Sequence, residues 1–210
     1  MRILIADDHH LIVEGLTRIL LDVYPFSEIE SVANADLLYK KSILEKWDII
    51  ITDICMPGSS VIDTIKQLNL NTPQTPILVL TMYAAEHYAV RCIRAGASGF
   101  VTKESSPYEL IAAIKQILSG KKYFTQNVAE ILADTMEEKY ESLTHELLSD
   151  REFEVMKYIS EGKSISEIGE ILNLNINTVS TYRARVMEKM NFKNNAEIVK
   201  YCIEHKLIFL

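Results

Sequence analysis

Asp7 and Asp8 follow the apolar run RILIA, Asp53 follows IIIT, and Lys103 follows GFVT, so three carboxylates and one ammonium stand where apolar runs stop. Short runs rich in Ile, Val and Leu, separated by helical stretches, read as buried parallel strands whose carboxyl ends share one rim. In open α/β sheets that rim is where ligands bind. Carboxylates crowded together repel one another unless a divalent cation or a lysine neutralises them, and an all-oxygen cluster suits Mg2+. The chemistry expected is a Mg2+ site with a phosphorylatable aspartate.

The elements that must position these groups are legible as alternating patterns. Strands are expected near residues 2–8, 28–32, 48–53, 76–81 and 98–102, with helices over 10–24, 35–46, 60–69, 86–95 and 107–119. The helical stretches place Leu, Ile and Val at helix-like spacing, and Ser106 before Pro107 is a sound helix start. Five βα units imply right-handed crossovers with helices on both faces, an α/β doubly wound five-stranded parallel sheet. Beyond Gly120 the strand signals vanish, and residues 123–142 read as a polar helix or hinge. Ser149 precedes Glu152 by three and Ser164 precedes Glu167 by three, so two capping boxes open helices over 150–161 and 165–172. Two more helices are expected over 178–190 and 196–205, making a second, small all-α domain.

Composition narrows the class. The chain has 210 residues, room for one large domain or two small ones. No apolar run approaches the ~18 to 20 residues of a membrane span, and no secretory leader pattern opens the chain, so a cytoplasmic location is expected. Cys55, Cys92 and Cys202 are few, odd in number and far apart, which argues for reduced structural thiols rather than disulfides or zinc. The net charge of −7 is uneven: residues 123–142 carry one basic and five acidic side chains, whereas residues 143–210 carry 9 basic and 10 acidic. A nearly neutral C-terminal domain does not announce nucleic acid by charge alone.

ADDH at 6–9, ITDICMPG at 51–58, LT at 80–81 and GASGFVTK at 96–103 together resemble the flavodoxin-like receiver domain of two-component response regulators, over essentially all of residues 1–120. The resemblance implies that Asp53 is the nucleophile that takes a phosphoryl group from a phosphohistidine or small phosphodonor. It implies that Asp8, Asp53 and the backbone carbonyl of Cys55 hold Mg2+, with Asp7 reaching it directly or through water. Lys103 would pair with the phosphoryl group and Thr81 would donate a hydroxyl hydrogen bond to it. Phe100 lies where that family's switch aromatic falls, so Thr81 and Phe100 are the expected switch. His9 and His10 are read as helix-start residues, and Cys55 and Tyr83 flank the pocket. After MPG the family often has a glycine three residues beyond Gly58, whereas this chain has Ser59, Ser60 and Val61.

LSDREFEVMKYISEGKSISEIGEILNLNINTVSTYRARVMEKM, residues 148–190, resembles the LuxR-type helix-turn-helix of the NarL/FixJ regulators. Its second helix would enter the major groove, with Thr178, Ser180, Thr181, Tyr182, Arg183, Arg185 and Lys189 as expected DNA contacts. Many family members have a lysine where this chain has Ser180, so a dimer is the more necessary for useful affinity. Ile198, Val199, Cys202 and Ile203 at helical spacing could pair across a dimer axis or pack inside their own domain.

The expectation is therefore a receiver over residues 1–122, a connector over 123–142 and a DNA-binding domain over 143–210, acting as a phosphorylation-controlled transcriptional regulator. A cognate sensor histidine kinase, promoter DNA and a second copy of the chain are the expected partners, and no enzymatic turnover is expected. Two other classes compete. An aspartate-nucleophile phosphatase would place DxD at the first strand, where this chain has Asp7-Asp8-His9. A phosphorylation-controlled adaptor would use the helical domain to bind protein, which its near-neutral charge allows.

Overall fold

The structure is a computed structural model and describes residues 1–82, 85–137, 144–205 and 207–208. The chain divides into two compact units, Met1–Glu137 and Glu138–Leu210.

In the first unit the order is β1 (Arg2–Ala6), α1 (His10–Val23), β2 (Glu28–Val32), α2 (Ala35–Leu44), β3 (Ile49–Thr52), α3 (Val61–Asn71), β4 (Ile77–Thr81), α4 (Ala85–Ala95), β5 (Gly99–Thr102), α5 (Pro107–Leu118), β6 (Tyr123–Phe124) and α6 (Gln126–Glu137). The strands lie in the order β2-β1-β3-β4-β5-β6, and every pairing is parallel. The residues of β3 and β4 are all buried, as expected where helices cover both faces of a parallel sheet. Successive side chains alternate between faces. Ile3, Ile5, Ile49, Ile51, Leu78, Leu80 and Val101 pack with Leu16 and Leu20 of α1 and Leu110, Ala113, Ile114 and Ile117 of α5. Leu4, Ile50, Val79 and Phe100, all fully buried, therefore face the opposite side.

Five strands were expected from the sequence, and β6 adds a sixth. It pairs through Gly99↔Tyr123 and Phe100↔Phe124. Gly99 is what lets it approach, since a Cβ there would meet Ile117 Cδ1 at 2.8 Å and the Tyr123 carbonyl oxygen at 3.0 Å. The helix expected within residues 123–142 is α6, and β6 and α6 both fall in the first unit; residues 138–143 lie outside the described residues.

The serines after Gly58 have definite roles. The Ser60 hydroxyl accepts from Asp63 N and so caps α3, while Ser59 Oγ donates to Asp36 Oδ1 and the Pro57 carbonyl accepts from Ala35 N. Gly58 holds φ +98°, and a Cβ there would sit 2.6 Å from Asp36 Oδ2. The loop after Asp53 is thereby tied to the start of α2.

The second unit opens with a 3-10 turn at Thr144–Leu147, followed by α7 (Asp150–Ser160), α8 (Ile165–Leu172), α9 (Ile176–Met190) and α10 (Asn195–Glu204). Both expected capping boxes are present. The chain turns from α8 to α9 through Asn173 in the left-handed region (φ 53°), and the Gly169 carbonyl accepts from Leu174 N at 2.8 Å. Gly169 leaves room for that turn, because a Cβ would stand 2.9 Å from the Leu174 carbonyl oxygen. α9 starts two residues before the expected position because Asn175 Oδ1 accepts from Asn177 N and caps it. α7 packs on α8, α9 and α10, and Val179, Val186 and Met190 form the buried side of α9.

Candidate phosphoacceptor site and nucleic-acid interface

The strand order reverses between β1 and β3, and the crevice beyond their carboxyl ends is where an open α/β sheet binds ligands. Asp7 is the first residue past β1, Asp53 the first past β3 and Lys103 the first past β5. Backbone hydrogen bonds fix all three: Asp7 N donates to the Val32 carbonyl at 3.0 Å, Asp53 N to Ala6 at 2.8 Å and Lys103 N to Thr81 at 2.7 Å. Lys103 Nζ lies 2.6 Å from Asp7 Oδ2 and 2.6 Å from Asp53 Oδ2, with all three side chains nearly buried. The other Asp53 oxygen, Oδ1, accepts from Ile54 N at 2.6 Å and Cys55 N at 3.4 Å.

Burial disfavours the Lys103 ammonium, but its hydrogen bonds to Asp53 and Asp7 outweigh that cost and leave its pKa raised above the ordinary lysine value. Asp7, Asp8 and Asp53, with His9, bring ligand atoms within 4.8 Å of one another. Three carboxylates in so small a space form a donor set that fits a hard divalent cation. His9, expected to flank the pocket only as a helix-start residue, joins the acids. It occupies the N-cap of α1, as a helix-start residue should, yet its ring turns to the acids, with Nδ1 at 3.2 Å from Asp7 Oδ1 and 3.1 Å from Asp8 Oδ1. The DDH spacing was the available signal, because a residue two positions past a strand-end aspartate can fold back onto it.

Thr81 ends β4 fully buried, paired in register with Thr102, two residues beyond the Val79↔Phe100 pair. Phe100 is likewise fully buried, on the sheet face that carries α2, α3 and α4 by alternation. Cys55 is half-buried beside the pocket; Tyr83 lies outside the described residues.

On α9, the buried Val179, Val186 and Met190 define one side, and Thr178, Ser180, Thr181, Tyr182, Arg183 and Arg185 occupy the rest at varying exposure. Thr178, Thr181, Tyr182 and Arg185 line one shallow depression together with Asn177, a residue the sequence reading passed over. Arg183 is held at the margin by Asn195 Oδ1, which accepts from its Nε at 2.8 Å. Lys189 stands apart from the other expected contacts: its ammonium is 2.6 Å from Glu152 Oε2 and donates to the Leu147 carbonyl at 3.2 Å. Burial pushes the Glu152 carboxyl up, but hydrogen bonds from Lys189 and Ser149 prevail and hold it below the usual range. In α10, Ile198 and Cys202 are fully buried and Ile203 is exposed, so packing within the unit accounts for the first two.

The fold and the two sites define a class. The response regulator receiver domain family matches residues 3–115, and the family of bacterial regulatory proteins, luxR family, matches residues 146–202. The chain belongs to the response regulators of the NarL/FixJ type, with a receiver followed by a LuxR-type helix-turn-helix. It is 30% identical over 209 residues to the response regulator UvrY of Escherichia coli (strain K12), covering 99% of this chain and 95% of UvrY. It is 31% identical over 215 residues to the oxygen regulatory protein NreC of Staphylococcus carnosus (strain TM300), covering 99% of each. Among solved structures it resembles RcsB from Salmonella enterica serovar Typhimurium bound to promoter P1flhDC in the presence of phosphomimetic BeF3-, with TM-score 0.59, 26% identity, and coverage of 96% of this chain and 97% of that one. Among the described residues no helix is long and apolar enough to cross a membrane.

Proposed function

We propose that the first unit accepts a phosphoryl group on Asp53 from a phosphohistidine of a sensor kinase, and that this controls promoter binding by α9 in the second. The observation that carries the reading is the meeting of Asp7, Asp53 and Lys103 at the switch point of a receiver fold. One Asp53 carboxylate oxygen attacks phosphorus as the phosphorus–nitrogen bond breaks, giving an aspartyl phosphate. The Ile54 and Cys55 amides orient that carboxylate through Oδ1. Lys103 moves from pairing with two carboxylates to pairing with the phosphoryl oxygens, and the Thr81 hydroxyl donates to them.

Asp7, Asp8, Asp53 and the Cys55 carbonyl would hold Mg2+. When bound, the cation supplies charge that offsets the charge developing on the phosphoryl oxygens. Phosphorylation adds roughly −1.5 to −2 charges at the rim. Thr81 drawn toward that charge vacates space behind it, and Phe100, buried two residues further down the paired strands, would repack toward that space.

The connector and output follow the same scheme. The receiver comprises residues 1–122 extended by β6 and α6, the connection falls at the end of the segment 123–142, and the DNA-binding domain is 143–210, in a cytoplasmic protein that acts as a homodimer on DNA. Thr178, Ser180, Thr181, Tyr182, Arg183 and Arg185 contact DNA, whereas Lys189 serves mainly to hold α9 on α7 through Glu152.

The test is phosphate incorporation from a radiolabelled small phosphodonor with Mg2+. Wild type should take up label and Asp53→Asn should take up none; undiminished label on Asp53→Asn would remove Asp53 from its role.

A further inference from the structure

The cations of α9 lie off its most outward ridge. Opposite the buried Val179, Val186 and Met190, the i, i+4, i+7, i+11 ridge that faces outward is Asn177, Thr181, Ala184 and Glu188, all exposed. Arg185 stands to one side of this ridge, Arg183 is drawn to Asn195, and Lys189 is drawn to Glu152. The ridge therefore carries no cation along its length.

Reading guanine in the major groove calls for Arg or Lys donating to O6 and N7, whereas Asn pairs with the N6 and N7 edge of adenine and methyl groups contact the thymine 5-methyl. The Thr181 hydroxyl donates to the Asn177 carbonyl at 2.9 Å, which leaves the threonine methyl as its outward contact. Ala184, one turn on, adds a second methyl. Glu188 ends the ridge with a carboxylate that phosphates repel, so the helix enters by its N-terminal turns. Arg185, exposed on the flank, is placed for a backbone phosphate, a contact that positions without specifying.

We infer that this chain selects A·T base pairs at the centre of each half-site, Asn177 reading adenine while Thr181 and Ala184 read thymine methyls. The inference rests on the DNA-binding reading above and deepens it. It requires that specificity come from neutral contacts, with the basic side chains of α9 supplying affinity.

The test is selection from a random duplex library on the full-length protein with Mg2+ and beryllofluoride, followed by affinity measurements on the enriched site. Adjacent A·T pairs are expected at two or more positions of each half-site. Replacing a contacted thymine by deoxyuridine, which removes only the 5-methyl, should weaken binding about fourfold, the value of one buried methyl-sized group. Thr181→Ser keeps the hydroxyl and deletes the methyl, and should erase the deoxyuridine effect at one position. Asn177→Ala should lose roughly tenfold discrimination between adenine and guanine at one position. Enriched sites with central G·C pairs, or full affinity for deoxyuridine sites, would overturn the inference while leaving DNA binding in place. Enrichment of no sequence at all would overturn both.

Discussion

At the scale of single residues, Lys103 is the neutralising group that two buried carboxylates share. Removing one partner of a buried charge cluster leaves the others uncompensated, so Lys103→Ala should lower unfolding free energy by about 3 kcal/mol in a chelator. Added Mg2+ should recover much of that loss in the variant and change wild type less, as followed by denaturant unfolding. A loss unaffected by the cation would mean the carboxylates do not bind it. On α9, two of the three cations, Arg185 and Lys189, should separate by experiment. Arg185→Ala should weaken DNA binding and reduce the salt slope by about one, as for a lost phosphate contact. Lys189→Ala should lower stability and leave that slope unchanged. Asp7, Asp53 and Lys103 were legible because strand ends are visible in the pattern IIIT-Asp and GFVT-Lys. The turn of His9 onto the acids and the Lys189–Glu152 pair were not, since each depends on which way a side chain swings from its helix.

At the scale of elements, the turn between α8 and α9 depends on an absent side chain. Gly169→Ala gains about 1 kcal/mol of helix propensity but overpacks the Leu174 carbonyl at a cost of about 1–3 kcal/mol, so the net change should be destabilising. Thermal unfolding of the variant decides the sign, and a higher midpoint would show that the turn relaxes freely. Glu152 contributes to the acid limb of the second unit. Its pKa is depressed in the fold, so its contribution is fully present above the ordinary glutamate pKa and is lost as pH falls through the depressed value. Unfolding monitored from neutral pH downward should show this loss in wild type, and Glu152→Gln should flatten it. Most elements fell within two residues of their expected bounds because long apolar periodicity and capping residues mark them. β6 did not, because two residues carry no periodicity and the reason they pair lies in Gly99 of the neighbouring strand. The early start of α9 is likewise a matter of one cap, Asn175.

At the scale of the molecule, two units with separate chemistry occupy one chain, and sequence read each of them through its own motif. What sequence left open was the output, since residues 143–210 are almost neutral and the local excess of positive charge is confined to Thr178 through Lys193. The family match settles the class. The central claim is that one charge change at Asp53 controls α9. It is tested most directly by titrating full-length protein onto its selected promoter fragment at fixed salt, with and without a small phosphodonor and Mg2+, beside Asp53→Asn. Affinity should rise at least tenfold on phosphorylation in wild type, a shift of about 1.4 kcal/mol, within the usual range of coupling between two sites. The Asp53→Asn protein should bind weakly in both conditions. Equal affinity for phosphorylated wild type, unphosphorylated wild type and Asp53→Asn would contradict the account.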